Sequence, residues 1–324
     1  MSLRQGFSFC AAERNSMTYR NFRKKLLESL KASFPEGYQI DTTSITKNNG
    51  TQLEAVTVRA EGGILSPCIY LKEYYRLYLL GMDMKEITDQ IRELCRHYVP
   101  RNIRLEDVID PEKARNGLVC RLVNTSMNQE LLKDCPSIPY LNLSILFYIL
   151  LDDPLLGPGA VIVKNDDLET WQLSEEELFP LAADNIRRLL PADFLPMDRL
   201  LTELRGETDC CADEGGEGGR EGAGEGAGEL PLYVLTNSRR TYGAVWMADP
   251  GTLRCISDVL QGDYWILPSS VHECMILPVS FRADRASLAQ MVSEIHRSAL
   301  AQEEVLADSV YLFRRETGKL EIAA

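Results

Sequence analysis

The segment Pro268-Ser269-Ser270-Val271-His272-Glu273 contains the residue types in this chain that are best suited to chemistry. A serine, a histidine and a carboxylate are the nucleophile, general base and acid of a serine hydrolase. In an extended segment alternate side chains share a side, so Ser270 and His272 face together whereas Glu273 points away. One hypothesis is therefore a hydrolase that uses Ser270 or Ser269 with His272 at a cleft between domains, with an acid from elsewhere. The alternative is a polar loop that hydrogen-bonds its own backbone.

Histidine is scarce, which leaves few positions for metal ligation or general-base chemistry. The chain has only His97, His272 and His296. His97 and His296 fall on predicted helices, where we expect a structural or solvated role. The zinc-protease pattern His-Glu-x-x-His fails because Ile276 stands where the second histidine is required. Three acidic clusters are explained by turns and helix starts, so no metal site is predicted. These clusters are Asp152-Asp153, Asp166-Asp167 and Glu175 to Glu177.

The glycines of the chain predict no nucleotide cofactor. Gly222, Gly224 and Ala227 match a dinucleotide-binding pattern, but no strand precedes them and the neighbouring glutamates would repel a pyrophosphate. The sequence contains no phosphate loop of the Gly-x-x-x-x-Gly-Lys-Ser/Thr type. We therefore expect the protein to work without a cofactor.

Cysteine usage and the lack of long apolar segments indicate a cytoplasmic protein. The nine cysteines, an odd number without a Cys-x-x-Cys pair, match neither a secreted disulfide framework nor a zinc ribbon. We interpret them as reduced thiols, and the adjacent Cys210 and Cys211 as incidental. Residues 1–16 have no apolar stretch long enough for a signal peptide. The apolar run Leu141 to Leu151 is shorter than the roughly 20 residues that a spanning helix needs.

The formal charge of −13 disfavours nucleic acids and anionic membranes as partners. Residues 207–229 carry a net charge of −7, which leaves −6 on the rest of the chain. A nucleic-acid role stays open as a second alternative because one face of the first predicted helix is basic. That face consists of Arg20, Arg23, Lys24, Lys25 and Lys31.

A segment rich in glycine and glutamate, residues 207–229, divides the chain. It has almost no apolar side chains to offset the entropy of ordering, so we predict a disordered, flexible linker. We predict folded domains at 17–206 and 230–324, preceded by a disordered extension at 1–16. Because most strands come as adjacent hairpins, the predicted fold class is α+β, with two parts that are each a largely antiparallel sheet with helices packed on it.

Local signals in the first domain predict where its elements begin and turn. Asn49-Gly50 predicts a hairpin turn, since both residues tolerate positive φ. Capping boxes at Asp83 with Glu86 and at Ser174 with Glu177 predict two helix starts. The first helix is predicted at Met17 to Phe34. The predicted strands are Tyr38 to Lys47, Thr51 to Arg59, Gly117 to Asn124, Tyr140 to Leu151 and Ala160 to Lys164.

In the second domain, Leu232 to Thr236 and Gly243 to Met247 are predicted as paired strands. Asp249-Pro250 supplies the N-cap and first-turn proline of a helix. Apolar residues from Leu288 to Ala299 predict a second helix. The remaining predicted strands are Tyr264 to Leu267, Cys274 to Leu277, Val310 to Arg314 and Lys319 to Ile322.

Several short segments together resemble a known family. They are Lys47-Asn48-Asn49-Gly50, Ser66 to Leu71, Ser174 to Asn185, Leu235-Thr236-Asn237, Gly243-Ala244 and Pro268 to Glu273. The chain resembles, from about Met17 to Ile322, an uncharacterised bacterial family found mainly in gut-dwelling Firmicutes, domain of unknown function 5688. The resemblance implies a bacterial cytoplasmic protein and assigns no activity or site residue.

Since no convincing catalytic set emerges, we expect a non-catalytic interaction or regulatory protein with an unknown protein partner. The hydrolase built on Ser269, Ser270, His272 and Glu273 is the first alternative, and a nucleic-acid-associated protein is the second.

Overall fold

The computed structural model describes residues 17–60, 68–98, 109–153, 157–204, 231–281 and 284–323. These residues form an α+β fold with three sheets, and each strand pair whose register is described is antiparallel, as predicted. The chain forms two compact units. Unit 1 comprises Met1–Ala114 and Leu151–Gly159, and unit 2 comprises Arg115–Leu150 and Ala160–Ala324.

Unit 1 contains a three-stranded sheet of order β1-β2-β3 and three helices that share a core with it. The predicted hairpin is confirmed, because Asn49 and Gly50 have φ of 59° and 67° and every residue of β1 pairs with β2. The capping box is also confirmed, since Asp83 and Glu86 each accept the other's backbone N–H at 2.7 and 2.9 Å. The elements are α1 (Tyr19–Ser33), β1 (Tyr38–Thr46), β2 (Gln52–Ala60), β3 (Cys68–Tyr70), α2 (Leu71–Leu79) and α3 (Met84–Tyr98), followed by α4 (Pro111–Gly117).

Unit 2 contains two sheets and most of the remaining helices. The first half supplies β4 (Leu118–Asn124), α5 (Gln129–Lys133), β5 (Ser137–Tyr140), β6 (Leu143–Asp153), β7 (Gly157–Ile162), α6 (Asp167–Thr170), α7 (Glu175–Leu189), β8 (Ala192–Pro196) and α8 (Met197–Leu204), except that residues 151–153 of β6 and 157–159 of β7 belong to unit 1. The second half supplies β9 (Tyr233–Asn237), α9 (Pro250–Leu260), β10 (Tyr264–Leu267), β11 (Cys274–Pro278), α10 (Arg285–Ala299), β12 (Tyr311–Arg314) and β13 (Lys319–Ile322).

The two sheets of unit 2 have the orders β4-β6-β5, with β7 beside β6, and β13-β12-β10-β11-β9-β8. Helix α10 packs on the larger sheet by placing Leu288 and Val292 among Trp265, Leu277 and Leu312. Burial of these side chains is the main favourable contribution to folding here. The predicted helix starts at Ser174 and Asp249 are confirmed by their capping hydrogen bonds.

The compact units do not have the boundaries expected from the linker. Strand β8 precedes residues 207–229 and β9 follows them, yet the two pair through five residue pairs from Ala192–Asn237 to Pro196–Tyr233. The domains predicted at 17–206 and 230–324 therefore share one sheet. Sequence reasoning missed β8 because it ends on a proline, a residue that strands accept mainly at sheet edges, and β8 is an edge strand. The predicted extension at 1–16 and the linker at 207–229 lie outside the described residues.

The strand predicted at Gly243 to Met247 is wrong. Residues Gly243–Ala248 form a 3₁₀ helix, and β9 pairs with β8 and β11 instead. The apolar run Gly-Ala-Val-Trp-Met is buried throughout, and a fully buried run has no periodicity that separates a strand from a tight helix.

Candidate functional site

The segment Pro268 to Glu273 is the loop between the paired strands β10 and β11. Its two serines are almost fully buried, with 5% and 4% of their surface exposed. Ser269 Oγ donates to the Glu273 carbonyl oxygen at 3.0 Å, and Ser270 Oγ accepts the backbone N–H of His272 at 3.0 Å. Both hydroxyls thus stabilise the loop by bonding to its backbone. This is the alternative to the hydrolase given above, a polar loop that hydrogen-bonds its own backbone.

The imidazole of His272 faces a carboxylate on one side and a backbone amide on the other. Its Nε2 lies 4.0 Å from Glu304 Oε1, whereas its Nδ1 accepts the backbone N–H of Tyr242 at 3.1 Å. In a catalytic triad the nitrogen opposite the acid faces the serine hydroxyl. Here that nitrogen is occupied, and no hydrogen bond joins the imidazole to the hydroxyl of Ser269 or Ser270, all of which are described residues. Among the described residues, His272 therefore has an acid beside Nε2 but no serine hydroxyl at Nδ1.

Tyr242 takes an uncommon backbone conformation that places its ring on His272. Its φ and ψ are 55° and 27°, a left-handed conformation that costs a non-glycine residue about 1 kcal/mol or more. Its ring stacks on the imidazole with centroids 5.3 Å apart and planes 19° apart. Tyr242 makes both the stack and the hydrogen bond to Nδ1 in this conformation, and these contacts offset its cost.

Asn237 shapes the loop that leads from β9 to Tyr242. Its side chain is fully buried and uses both ends of the amide. Nδ2 donates to the Thr241 carbonyl oxygen at 2.7 Å, while Oδ1 accepts the backbone N–H groups of Arg239 at 3.0 Å and Thr241 at 3.3 Å. An asparagine that bonds to the backbone ahead of it is a common way to close a turn. The loop therefore has a defined shape that fixes the approach to Tyr242.

Gly243 lies against the backbone of two other segments. A Cβ at this position would lie 2.6 Å from Thr236 Oγ1 and 2.7 Å from both Asn237 N and the His272 carbonyl oxygen. Thr236 Oγ1 in turn donates to that same carbonyl at 2.9 Å. The segments Leu235 to Asn237, Gly243-Ala244 and Pro268 to Glu273, three of those that resemble the family, are thus in direct contact.

Two residues of the smaller sheet complete the group around the Tyr242 ring. Arg121 on β4 places Cζ 4.8 Å from the ring centroid, and Tyr148 on β6 meets the ring edge-on with centroids 5.2 Å apart and planes 73° apart. We call Arg121, Tyr148, Tyr242, His272 and Glu304 the Tyr242 cluster. Of these five residues, sequence reasoning selected only His272. The one available signal was a single charge inside the buried run Leu118 to Val123.

Burial controls the electrostatics of the Tyr242 cluster. Desolvation lowers the pKa of His272 below its ordinary value, Glu304 opposes that shift, and the positive charge of Arg121 reinforces it. Desolvation also raises the pKa of Tyr148, so its phenol stays protonated. In the loop, burial raises the pKa of the Glu273 carboxyl, and the charge of Arg240 opposes the shift. Because the pKa of His272 is lowered, its imidazole is neutral at neutral pH. Its single ring proton lies on Nε2, since Nδ1 accepts the Tyr242 N–H.

The other positions considered from the sequence have structural roles or bear on no site. His296 on α10 has Nδ1 2.8 Å from Asp308 Oδ1 and Nε2 3.2 Å from the Pro268 carbonyl oxygen, so it ties the helix to the start of the loop. His97 lies in α3. Of the basic face of α1, Arg23 pairs with Glu54 at 2.7 Å. The glycines at 222 and 224, Ala227, Cys210 and Cys211 lie outside the described residues.

Within the part of the chain that the structure describes, no group of three or more His, Cys, Asp or Glu side chains is arranged to hold a metal ion. Over the same residues, no helix combines the length and hydropathy that crossing a bilayer requires.

A comparison with known families agrees with the resemblance seen in the sequence. The model of a family of unknown function (DUF5688) matches residues 19–315, which is most of the chain. The chain belongs to this family. No curated protein and no solved structure matches at a significant level. The family description carries no activity, so a function has to be argued from the geometry of the Tyr242 cluster.

The lowered pKa of His272 gives a test of the cluster's electrostatics. We expect NMR titration of the folded protein to give His272 a pKa below that of the unfolded chain, and Arg121→Met to raise it by removing a neighbouring positive charge. Because the folded pKa is depressed, His272 contributes stability that is present above the unfolded pKa and is lost as pH falls through the folded pKa.

The control for this titration is His272→Asn, whose side-chain oxygen can still accept the Tyr242 N–H. Its free energy of unfolding should lose less between neutral and acidic pH than that of the wild type. A folded-state pKa at or above that of the unfolded chain would contradict the described burial.

Proposed function

We propose that this protein is a non-catalytic interaction or regulatory protein of the bacterial cytoplasm. The observation that carries the proposal is the occupied Nδ1 of His272, which accepts the Tyr242 N–H where a hydrolase would place its serine. With both loop serines committed to backbone groups, the most reactive-looking segment of the chain serves to build a rigid loop.

The packing of the Tyr242 cluster is the second support for a binding role. Its aromatic rings and the loop are fixed by hydrogen bonds and ring contacts on several sides. A fixed arrangement of polar and aromatic groups suits the recognition of a ligand or partner. A reducing location is supported by the free state of the six described cysteines, at positions 68, 95, 120, 135, 255 and 274.

The proposal is tested with a fluorophosphonate probe, which labels an activated serine of a hydrolase covalently. We expect intact-mass spectrometry of the full chain to show no adduct at Ser269 or Ser270, under conditions that label an active serine hydrolase completely. Ser270→Ala should instead lower the free energy of unfolding by about 1 kcal/mol, because the buried loop loses the hydroxyl that accepts the His272 N–H.

The matching control is His272→Asn, which removes the imidazole that lies in the same loop as the serines. An adduct on Ser270 in the wild type that disappears in His272→Asn would establish the hydrolase and end the non-catalytic proposal.

A further inference from the structure

Arg121 is a buried cation that has no counter-ion among the residues that the structure describes. The residue is 8% exposed and lies in the middle of β4, and its side chain makes no hydrogen bond or ion pair with another described residue. Its Nε is sealed from solvent without a partner. Removing a charge from water is costly unless the charge is paired and hydrogen-bonded. The fold therefore keeps a charge at this position that the described residues do not neutralise.

The contacts that Arg121 does make compensate only part of this cost. The guanidinium lies over the Tyr242 ring at 4.8 Å, a cation–π contact that supplies no hydrogen-bond acceptor. Glu304 lies beside His272 Nε2 and forms no ion pair with Arg121. The five N–H donors of the guanidinium thus lack acceptors among the described residues.

Tyr148 provides a second unused donor on the same side of the sheet. Residue 121 pairs with Leu146, and Tyr148 pairs with Val119, so Arg121 and Tyr148 are diagonal neighbours on one face. Tyr148 is 2% exposed, and its hydroxyl has no hydrogen-bond partner in the described part of the chain. Both side chains contact the same Tyr242 ring. Two unpartnered donors, one of them charged, are therefore held beside one aromatic ring.

We propose that Arg121 and Tyr148 bind an oxyanion, the carboxylate or phosphate group of a small ligand. The terminal nitrogens of a guanidinium match two oxygens of such a group, and the Tyr148 hydroxyl donates a further hydrogen bond to it. Nε and the Tyr148 hydroxyl are sealed from solvent, whereas these terminal nitrogens are not, so the ligand arrives at the terminal nitrogens and the Tyr148 side chain must turn its hydroxyl towards it. The proposal rests on the binding function proposed above and names its ligand class. The bound group supplies the missing negative charge.

The experiment measures the thermal midpoint of the full chain with sodium acetate, sodium phosphate or neutral acetamide, at constant ionic strength set with sodium chloride. We expect acetate or phosphate, but not acetamide, to raise the midpoint in a saturable way, because a ligand that binds only the folded state stabilises it. A response to acetate alone identifies a carboxylate, and a response to phosphate alone identifies a phosphate.

Two variants decide whether the response belongs to this site. Arg121→Met should raise the ligand-free midpoint by a few degrees, since it removes an uncompensated buried charge, and should abolish the anion response. Tyr148→Phe keeps the ring packing and should weaken anion affinity about tenfold. Arg254→Met, an equal change of charge at an exposed position of α9, should change neither quantity.

The proposal is overturned if no anion shifts the wild type, if Arg121→Met keeps the response, or if Arg121→Met is less stable than the wild type. These results are independent of the fluorophosphonate assay. If no anion stabilises the protein and no serine is labelled, only the proposed oxyanion site is refuted. If a serine is labelled, the proposed non-catalytic function is refuted.

Discussion

Replacing Gly243 by alanine is expected to lower the free energy of unfolding of the protein by about 3 kcal/mol, a large effect for a single methyl group. The added Cβ would lie 2.7 Å from the Asn237 nitrogen and from the His272 carbonyl oxygen, both of them backbone atoms. A flexible side chain could move aside, but here β9 or the loop after β10 must shift. Urea denaturation monitored by tryptophan fluorescence measures the loss.

Gly262→Ala is the matched control for this substitution. Gly262 also lies in unit 2, and a Cβ there would meet nothing within 4 Å. We expect a change within about 0.5 kcal/mol, with a slight gain because alanine reduces the entropy of the unfolded chain. If Gly243→Ala were as stable as Gly262→Ala, the close contact of the three segments would be wrong, and with it the described position of His272.

The parts of the fold that the sequence predicted well are those that local chemistry specifies. The turn at Asn49-Gly50 follows from the positive φ that both residues adopt. The helix starts at Asp83, Ser174 and Asp249 follow from side chains that accept orphan N–H groups three residues ahead. Each of these signals involves residues that are close in sequence, so no knowledge of tertiary packing was needed.

The errors concern features that depend on distant residues. Strand β8 exists because β9, more than thirty residues later, supplies its hydrogen-bond partners. The 3₁₀ helix at Gly243–Ala248 follows from the close approach of Gly243 to β9 and to the loop after β10. Neither partner can be read from the local sequence, because tertiary contacts override weak strand propensity.

The candidate site shows the same division between local and distant information. The sequence selected Ser270 and His272 by residue type, and the structure places them in one loop but gives the imidazole a backbone amide instead of a hydroxyl. Arg121 was visible in the sequence as a lone charge in an apolar strand, and such a residue needs a partner or a function. Its contact with Tyr242 was not visible, since the two residues are about 120 positions apart.

Replacing Asn237 by alanine is the second change with a large expected effect. The buried amide makes three hydrogen bonds to the loop before Tyr242, and alanine leaves the N–H groups of Arg239 and Thr241 and the Thr241 carbonyl oxygen without these partners. A buried backbone group without a partner costs about 1–3 kcal/mol. Because Arg239 is exposed and Thr241 is half-buried, water replaces part of these bonds, and we expect a total loss of about 3 kcal/mol. Chemical denaturation measures the loss, and the anion response of the folded fraction should weaken because Tyr242 is no longer held against Arg121 and His272.

The same substitution at Asn165 separates this effect from a general cost of removing asparagine. Asn165 is exposed and its side chain makes one hydrogen bond, to the Lys133 carbonyl oxygen at 3.2 Å, so water can replace it. We expect Asn165→Ala to cost less than about 1 kcal/mol and to leave anion binding intact. If Asn237→Ala lost stability but kept the full anion response, the loop would be structural only, and the position of the Tyr242 ring would not depend on it. If both properties fall together, the fully buried amide of one residue couples the stability of unit 2 to the geometry of the proposed oxyanion site.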